Sequence, residues 1–225
     1  MLNVQEELKY QELKNKCREM KVLPPTDIFI GLQVHDKGNL IFDDVQRGHS
    51  WTRNYWNLMF VYVSNCSIVD SSFGAGYISN GRFSNGAVTS QEYILGTYGN
   101  MLTGLANTHR GIIVGVGTAA FSVEQYALNA LITSGSSAGK LYYNACAVAS
   151  TTYADKKWTI VGSRIFNNNS GGSIVVAETG LTLYDPSSTE MWLVERSLLS
   201  SAVTVPDAAQ LTVTYTIVDD FSAID

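Results

Sequence analysis

Apolar residues recur at helical spacing over the first two dozen positions, and from residue 27 onward mostly at every second position. Tyr10, Leu13, Cys17 and Met20 fall three and four residues apart, which predicts a helix over 2–22 with one narrow apolar stripe. Glu6, Glu7, Glu12, Lys14, Lys16 and Arg18 solvate the rest of it. A helix this short is marginal alone in water. Its stripe must dock on this domain, on a symmetry mate or on another protein. Leu23-Pro24-Pro25 is read as its stop, because proline and the residue before it resist helical geometry. The chain thus divides into a helical arm at 1–23 and a body at 24–225.

The body opens with Ile28, Ile30, Leu32 and Val34 in alternation, a turn at 35–39, and a return through Leu40-Ile41-Phe42, which is a hairpin signal. Ser50 then fits an N-cap for a helix over 51–64. Trp51, Tyr55 and Leu58 share one side of it, while Trp56 and Met59 help cover the others. Apolar residues all round predict a buried helix, with Trp51, Tyr55 and Trp56 as a structural plug. Gly, Ser and Asn dominate 71–109, and Asn80-Gly81 and Asn85-Gly86 suit hairpin turns. Inserted loops of this kind are where variable surface contacts concentrate. Strands are predicted at 111–117, 141–149, 157–167, 173–183, 191–196 and 210–218. In the last, Leu211, Val213, Tyr215 and Ile217 face one way and Thr212, Thr214 and Thr216 the other, as in a sandwich strand. Within 157–167 the apolar side changes around Gly162, which predicts a β-bulge there. Residues 121–132 fit strand or helix equally. The expected fold is all-β, a mainly antiparallel sandwich or jelly-roll-like body with an N-terminal helical arm and one short buried helix.

Composition narrows the partners. Charged residues are only 16% of the 225, against roughly 25% in an average domain, which suits a surface that meets other proteins or sugars. The 15 Lys and Arg are dispersed and the net charge is −5, so no nucleic-acid partner is expected. No apolar run approaches the ~20 residues of a membrane span, and the charged N-terminus does not read as a signal peptide. Cys17, Cys66 and Cys146 have no metal-ligand spacing and read as buried free thiols.

Candidate chemistry is thin. The Gly115-Val116-Gly117-Thr118-Ala119-Ala120 stretch matches a dinucleotide fingerprint but lacks the acidic residue required about 20 positions on. The 135–141 stretch, GSSAGKL, is one residue short of a phosphate loop and lacks the hydroxyl after its lysine. His49-Ser50 near Asp43 and Asp44 invites a hydrolase reading, yet triads assemble in space and not by adjacency. Asp219, Asp220 and Asp225 have no EF-hand spacing. Tyr98, Tyr142, Tyr143, Tyr153 and Trp158 are either core and interface residues or a sugar-stacking platform. No catalytic residue, cofactor or metal is expected.

Three segments carry a resemblance: GNLIFDDVQRGHSWTRNYWN, SRIFNNNSGGSIVVAETGL and VERSLLSSAVTVPDAAQLTVTYTI. Together they resemble a family of small structural proteins of tailed bacteriophages, over roughly residues 38–57 and 157–218. The resemblance implies a non-enzymatic virion component attached to head, neck or tail and assembled in the host bacterial cytoplasm. Its implied partners are other copies of itself and other virion proteins. Tyr10, Leu13, Cys17 and Met20 are the expected partner interface. The alternatives are a receptor- or glycan-binding module at a virion tip, with 71–109 forming the contact loops, and a cell-wall hydrolase.

Overall fold

The computed structural model describes residues 4–48, 51–64, 84, 86, 102–184 and 191–224. The Ser50 cap, His49, Cys66, Tyr98, Asp225, the Asn80-Gly81 turn and nearly all of 71–101 lie outside the described residues. The elements run α1 (Val4–Met20), β1 (Asp27–Asp36), β2 (Asn39–Arg47), α2 (Arg53–Ser64), β3 (Gly111–Gly115), β4 (Tyr142–Ala154), β5 (Lys157–Asn167), β6 (Ile174–Tyr184), β7 (Met191–Val205) and β8 (Gln210–Asp220), closed by a 3-10 turn at Phe221–Ala223. One sheet has five strands in the order β2-β1-β8-β5-β4 and the other three in the order β3-β6-β7, with every pairing antiparallel. The fold is therefore the expected all-β sandwich with an N-terminal helix.

Contacts between the layers fix which strands face each other. Tyr215 of β8 bonds Thr179 of β6 and Glu195 of β7. Tyr143 of β4 bonds both carbonyl and amide of Val114 on β3, and Gln46 of β2 bonds Leu198 on β7. Ile30, Leu32, Val34, Leu211, Val213 and Phe166 fill the space between. Apolar burial of this kind contributes about 25 cal/mol per Å² removed from water.

β8 follows its alternation as read: Leu211, Val213 and Tyr215 are fully buried while the threonines between them stay half-exposed. β5 does not. Its pairing with β8 is unbroken, and Ile160, Gly162, Arg164 and Phe166 all lie on the sandwich side. The irregularity sits on the neighbouring strand, between Val148 and Ser150 of β4, opposite Gly162. The predicted bulge is therefore real in place but belongs to β4. Val161 and Ile165 lie on the outer face and the inward position between Gly162 and Phe166 is the polar Arg164, so the apolar residues alone trace a switch that the strand does not make. Arg164 is buried, and its guanidinium donates to the carbonyls of Asn144, Arg110, Ile112 and Asn107 at 2.6–2.9 Å. It thereby ties the 107–112 segment to the sheet edge, and burial lowers its pKa.

Two strands outrun their predicted lengths, β4 to Ala154 and β7 to Val205. The β4 extension is exposed, and in β7 an exposed stretch at 200–202 separates the predicted part from the buried Val203 and Val205, so periodicity alone did not carry them. Residues 121–132 form neither helix nor strand but a loop laid over β6 and β7. A buried ion pair holds it. Arg196 Nε donates to Glu178 at 2.6 Å, with both side chains fully buried. The Glu178 carboxylate also accepts the amides of Gly117, Asn129 and Ala130. Arg196 reaches onward to the Ala119 carbonyl and to Gln125. A Cβ at Gly115 or Gly117 would lie 2.5 or 2.4 Å from the Glu178 carboxylate. The Gly115-Val116-Gly117 pattern thus makes room for a carboxylate and is no nucleotide fingerprint.

Candidate functional site

The arm and the segment after β2 meet on one side of the sandwich. α1 carries Glu6 and Glu7 in its first turn and Arg18 in its last, as the helix dipole favours. Lys21, at φ 54°, ends it: the amides of Lys21 and Val22 donate to the carbonyls of Arg18 and Cys17, a Schellman closure. The helix stops ahead of the prolines read as its terminator.

Charge, more than grease, docks this helix. Arg47, at the end of β2, is clamped by Asp27 at 2.5 Å and by Glu7 of the arm at 2.6 Å. Lys14 of the arm pairs with the same Asp27. The Tyr10 ring stacks 3.9 Å from the Arg47 guanidinium, and its hydroxyl donates to the Pro25 carbonyl. The hydrogen bond from Arg47 holds Glu7 below the usual carboxylate range. Burial, with Asp27 nearby, pushes the Tyr10 hydroxyl well up. Arg18 approaches Asp220 beside the 3-10 turn.

This docking corrects the arm's predicted contact face. Cys17 and Lys14 are buried and Tyr10 is half-buried against the chain's own body, whereas Leu13 and Met20 point away, Met20 being 64% exposed. The stripe read as one face is split. Its polar neighbour Lys14 turns inward because Asp27 offers a buried partner, a signal absent from any hydrophobic periodicity.

The plug is corrected too. Trp51 is buried, bridges Glu195 of β7, and stacks on Tyr55 with ring centroids 4.0 Å apart. Trp56 packs edge-on to Tyr55 but is 58% exposed, and Met59 is exposed as well. α2 begins at Arg53, past the predicted start, and buries Asn54, Asn57 and Leu58 against β7. One helix against one sheet edge covers only one side of the helix.

The segment around this helix does a further job: it seals the free edge of β7. The Thr52 amide donates to the Val194 carbonyl, Thr52 Oγ1 and Asn54 Nδ2 to that of Leu193. Gln46 spans the sandwich, donating to the Leu198 carbonyl and accepting from the Ser200 amide, both at 2.7 Å. Gly48 allows the close turn, since a Cβ there would sit 2.7 Å from Ile28. Exposed edges invite pairing with other chains, and this one is capped. Gln46→Ala leaves both β7 groups unpaired, so urea unfolding is expected to show a loss of about 1–2 kcal/mol.

Between arm, linker and α2 lies a cavity of about 230 Å³ lined by Glu6, Tyr10, Thr26, Arg47, Trp51 and Trp56, among others. It joins residues from both predicted sets, Tyr10 from the arm and Trp51 and Trp56 from the plug. The described rings of the expected platform do not come together: Tyr143 is fully buried against Phe166, while Tyr153 and Trp158 sit exposed at the far end of the sheet. Among the described residues no cluster of three or more His, Cys, Asp or Glu could hold a metal ion, and no helix is long and apolar enough to cross a membrane. Asp43 lies on β2, where the Gln33 amide donates to it.

The fold and this seam define a charge-poor antiparallel β-sandwich with an anchored helical arm. Comparison with protein-family models, with curated proteins and with solved structures finds no match.

Proposed function

We propose that this chain is a non-enzymatic structural component of a tailed-phage virion, attached to head, neck or tail and acting by protein–protein assembly. It assembles in the host bacterial cytoplasm with other copies of itself and other virion proteins, and uses no cofactor, metal or nucleic acid. One observation carries the reading. The arm is anchored through its charged face, which leaves Val4, Leu8, Leu13 and Met20 exposed on an ordered helix. Such residues are useful where a neighbour covers them. The outer face of the three middle strands of the five-stranded sheet supports the same use. Phe29, Thr216 and Val161 lie across it in one row, Gly31, Thr214 and Ser163 in the next, and Gln33, Thr212 and Ile165 in the third, with no charge among them.

Leu13→Glu with Met20→Glu tests this without touching the docking network. Incorporation into particles is expected to fall by at least about tenfold, while the unfolding free energy moves by under ~0.5 kcal/mol. Normal incorporation of the double variant sinks the proposal. A glycan- or receptor-binding module is the second reading, favoured by the aromatic-lined cavity at Trp51 and Trp56. Glycan binding by the isolated chain, lost in Trp56→Ala, would decide for it.

A further inference from the structure

Among the described residues the sandwich has four sheet edges, and their treatment is unequal. β7 is capped by Gln46, Trp51, Thr52 and Asn54, as described above. β3 is covered through the Gly115–Leu131 bridge and the Val116 and Ile132 amides. β2 carries Asp43 and Asp44 and an irregular register opposite His35, two features that discourage pairing with another strand. β4 differs. Its sequence, YYNACAVASTTYA, has no charged residue and no proline over the whole strand. Thr103 and Ala106 cover its first half by bonding Cys146 and Tyr143. Among the described residues nothing covers its second half.

That second half is regular and exposed. Beyond the irregularity at Val148/Ser150, residues Ser150 to Ala154 pair in unbroken register with Val161 to Lys157 of β5. Every side chain from Ser150 to Ala154 is exposed, Tyr153 at 68%. Asp155 and Lys156, both at positive φ, then turn the chain tightly into β5, as a two-residue hairpin loop requires. Tyr153 stands directly opposite Trp158, which is also exposed, with Phe221 6.4 Å from the Tyr153 ring. β3 is only five residues long and reaches the other end of β4. Among the described residues, therefore, no second sheet lies over the apolar side of this corner.

We infer that Ser150–Ala154 of β4 is a self-pairing edge, joined antiparallel to the same strand of a second copy across a two-fold axis. A second copy is favoured over other occupants by charge. An axis at Thr152 sets Tyr153 of one copy opposite Thr151 of the other, an aromatic–β-branched pair of the kind that stabilises sheets. No like charges meet. The other open edge, β2, would set Asp43 and Asp44 against themselves if it did the same, since an isologous contact repeats each patch. The union makes one ten-stranded sheet and brings the Tyr153 and Trp158 rings of both copies to its seam. Five residues a side is a small contact, so the dimer is expected to dissociate on dilution. The inference deepens the assembly reading and rests on it for its use in the particle.

Sedimentation of the purified full chain over a concentration series tests it. The wild type is expected to shift from monomer to dimer, and Thr152→Asp to stay monomeric with an unchanged thermal transition, as its side chain is exposed. Thr152→Lys should do the same, because either sign opposes itself. Thr152→Cys in a Cys66→Ser background should cross-link into a dimer under mild oxidation, since Cys17 and Cys146 are buried. A wild type that stays monomeric to its solubility limit overturns the inference, as does a Thr152→Asp variant that dimerises like the wild type. The two proposals fail separately. A dimer abolished by Thr152→Asp upholds this edge even if the arm variants assemble normally, and a monomeric wild type that still enters particles overturns the edge alone.

Discussion

Arg196→Met is expected to cost about 3–5 kcal/mol of folding stability, the size typical of a buried ion pair stripped of one partner. Glu178 would keep its three amide donors but lose the only cation that bonds it among the described residues. The Ala119 carbonyl would lose this donor as well, and Gln125 would keep only the Ser122 amide among its described donors. Because the pair fastens the 116–130 loop to the three-stranded sheet, the loss should appear locally first. Hydrogen exchange at Gly117, Asn129 and Ala130 should accelerate ahead of the strands. Adding Glu178→Gln should recover part of the deficit, since a neutral amide costs less to bury than an unpaired carboxylate. A loss under ~1 kcal/mol for Arg196→Met would show that the pair is not what holds the loop.

Stability should fall as pH rises from about 4.5 to about 7, and Glu195→Gln should remove that slope. Glu195 is fully buried between the sheets, where burial pushes its carboxyl up to about 7. Hydrogen bonds from Ser197 and from Tyr215 (2.6 Å) offset part of that desolvation. The folded chain therefore keeps this proton in a range where the unfolded chain, titrating near 4.5, has released it. A raised folded-state value means the favourable contribution is complete below the unfolded pKa and is lost on passing the folded one. The decline should amount to about 3 kcal/mol between roughly pH 4.5 and pH 7 and then level off. Glutamine keeps an acceptor for one hydroxyl and carries no charge. The variant should match the wild type in acid and exceed it above neutrality. Urea unfolding across that range decides it, and parallel curves for the two proteins would refute the assignment.

Much of the sandwich was legible because one buried face imposes period two. Leu211, Val213, Tyr215 and Ile217 on β8, and Ile28 to Val34 on β1, declare strand and inner face together, and Gly38 marks the turn between β1 and β2. Alternation fails where an inward position is polar. Arg164 hid the continuity of β5, and Glu178, Glu195 and Arg196 gave no sign that they lie at the centre of the molecule. It also fails on edges. Ser150 to Ala154 are exposed on both faces, so nothing periodic announced that β4 continues.

The candidate surfaces divide in the same way. The residue sequence by itself determined an amphipathic arm, an antiparallel sandwich and a low-charge surface, because hydrophobic spacing and composition are local properties. It also named Tyr10 and Trp51 as residues that pack. Tertiary structure alone decided that Lys14, Glu7 and Arg47 converge on Asp27, so the arm is held by charge and turns Leu13 and Met20 outward. It alone decided that Trp51 and Thr52 seal one sheet edge while β4 leaves another open. The physical reason is that a buried charge or a free backbone edge is defined by partners distant in sequence, and no local pattern records which partners arrive.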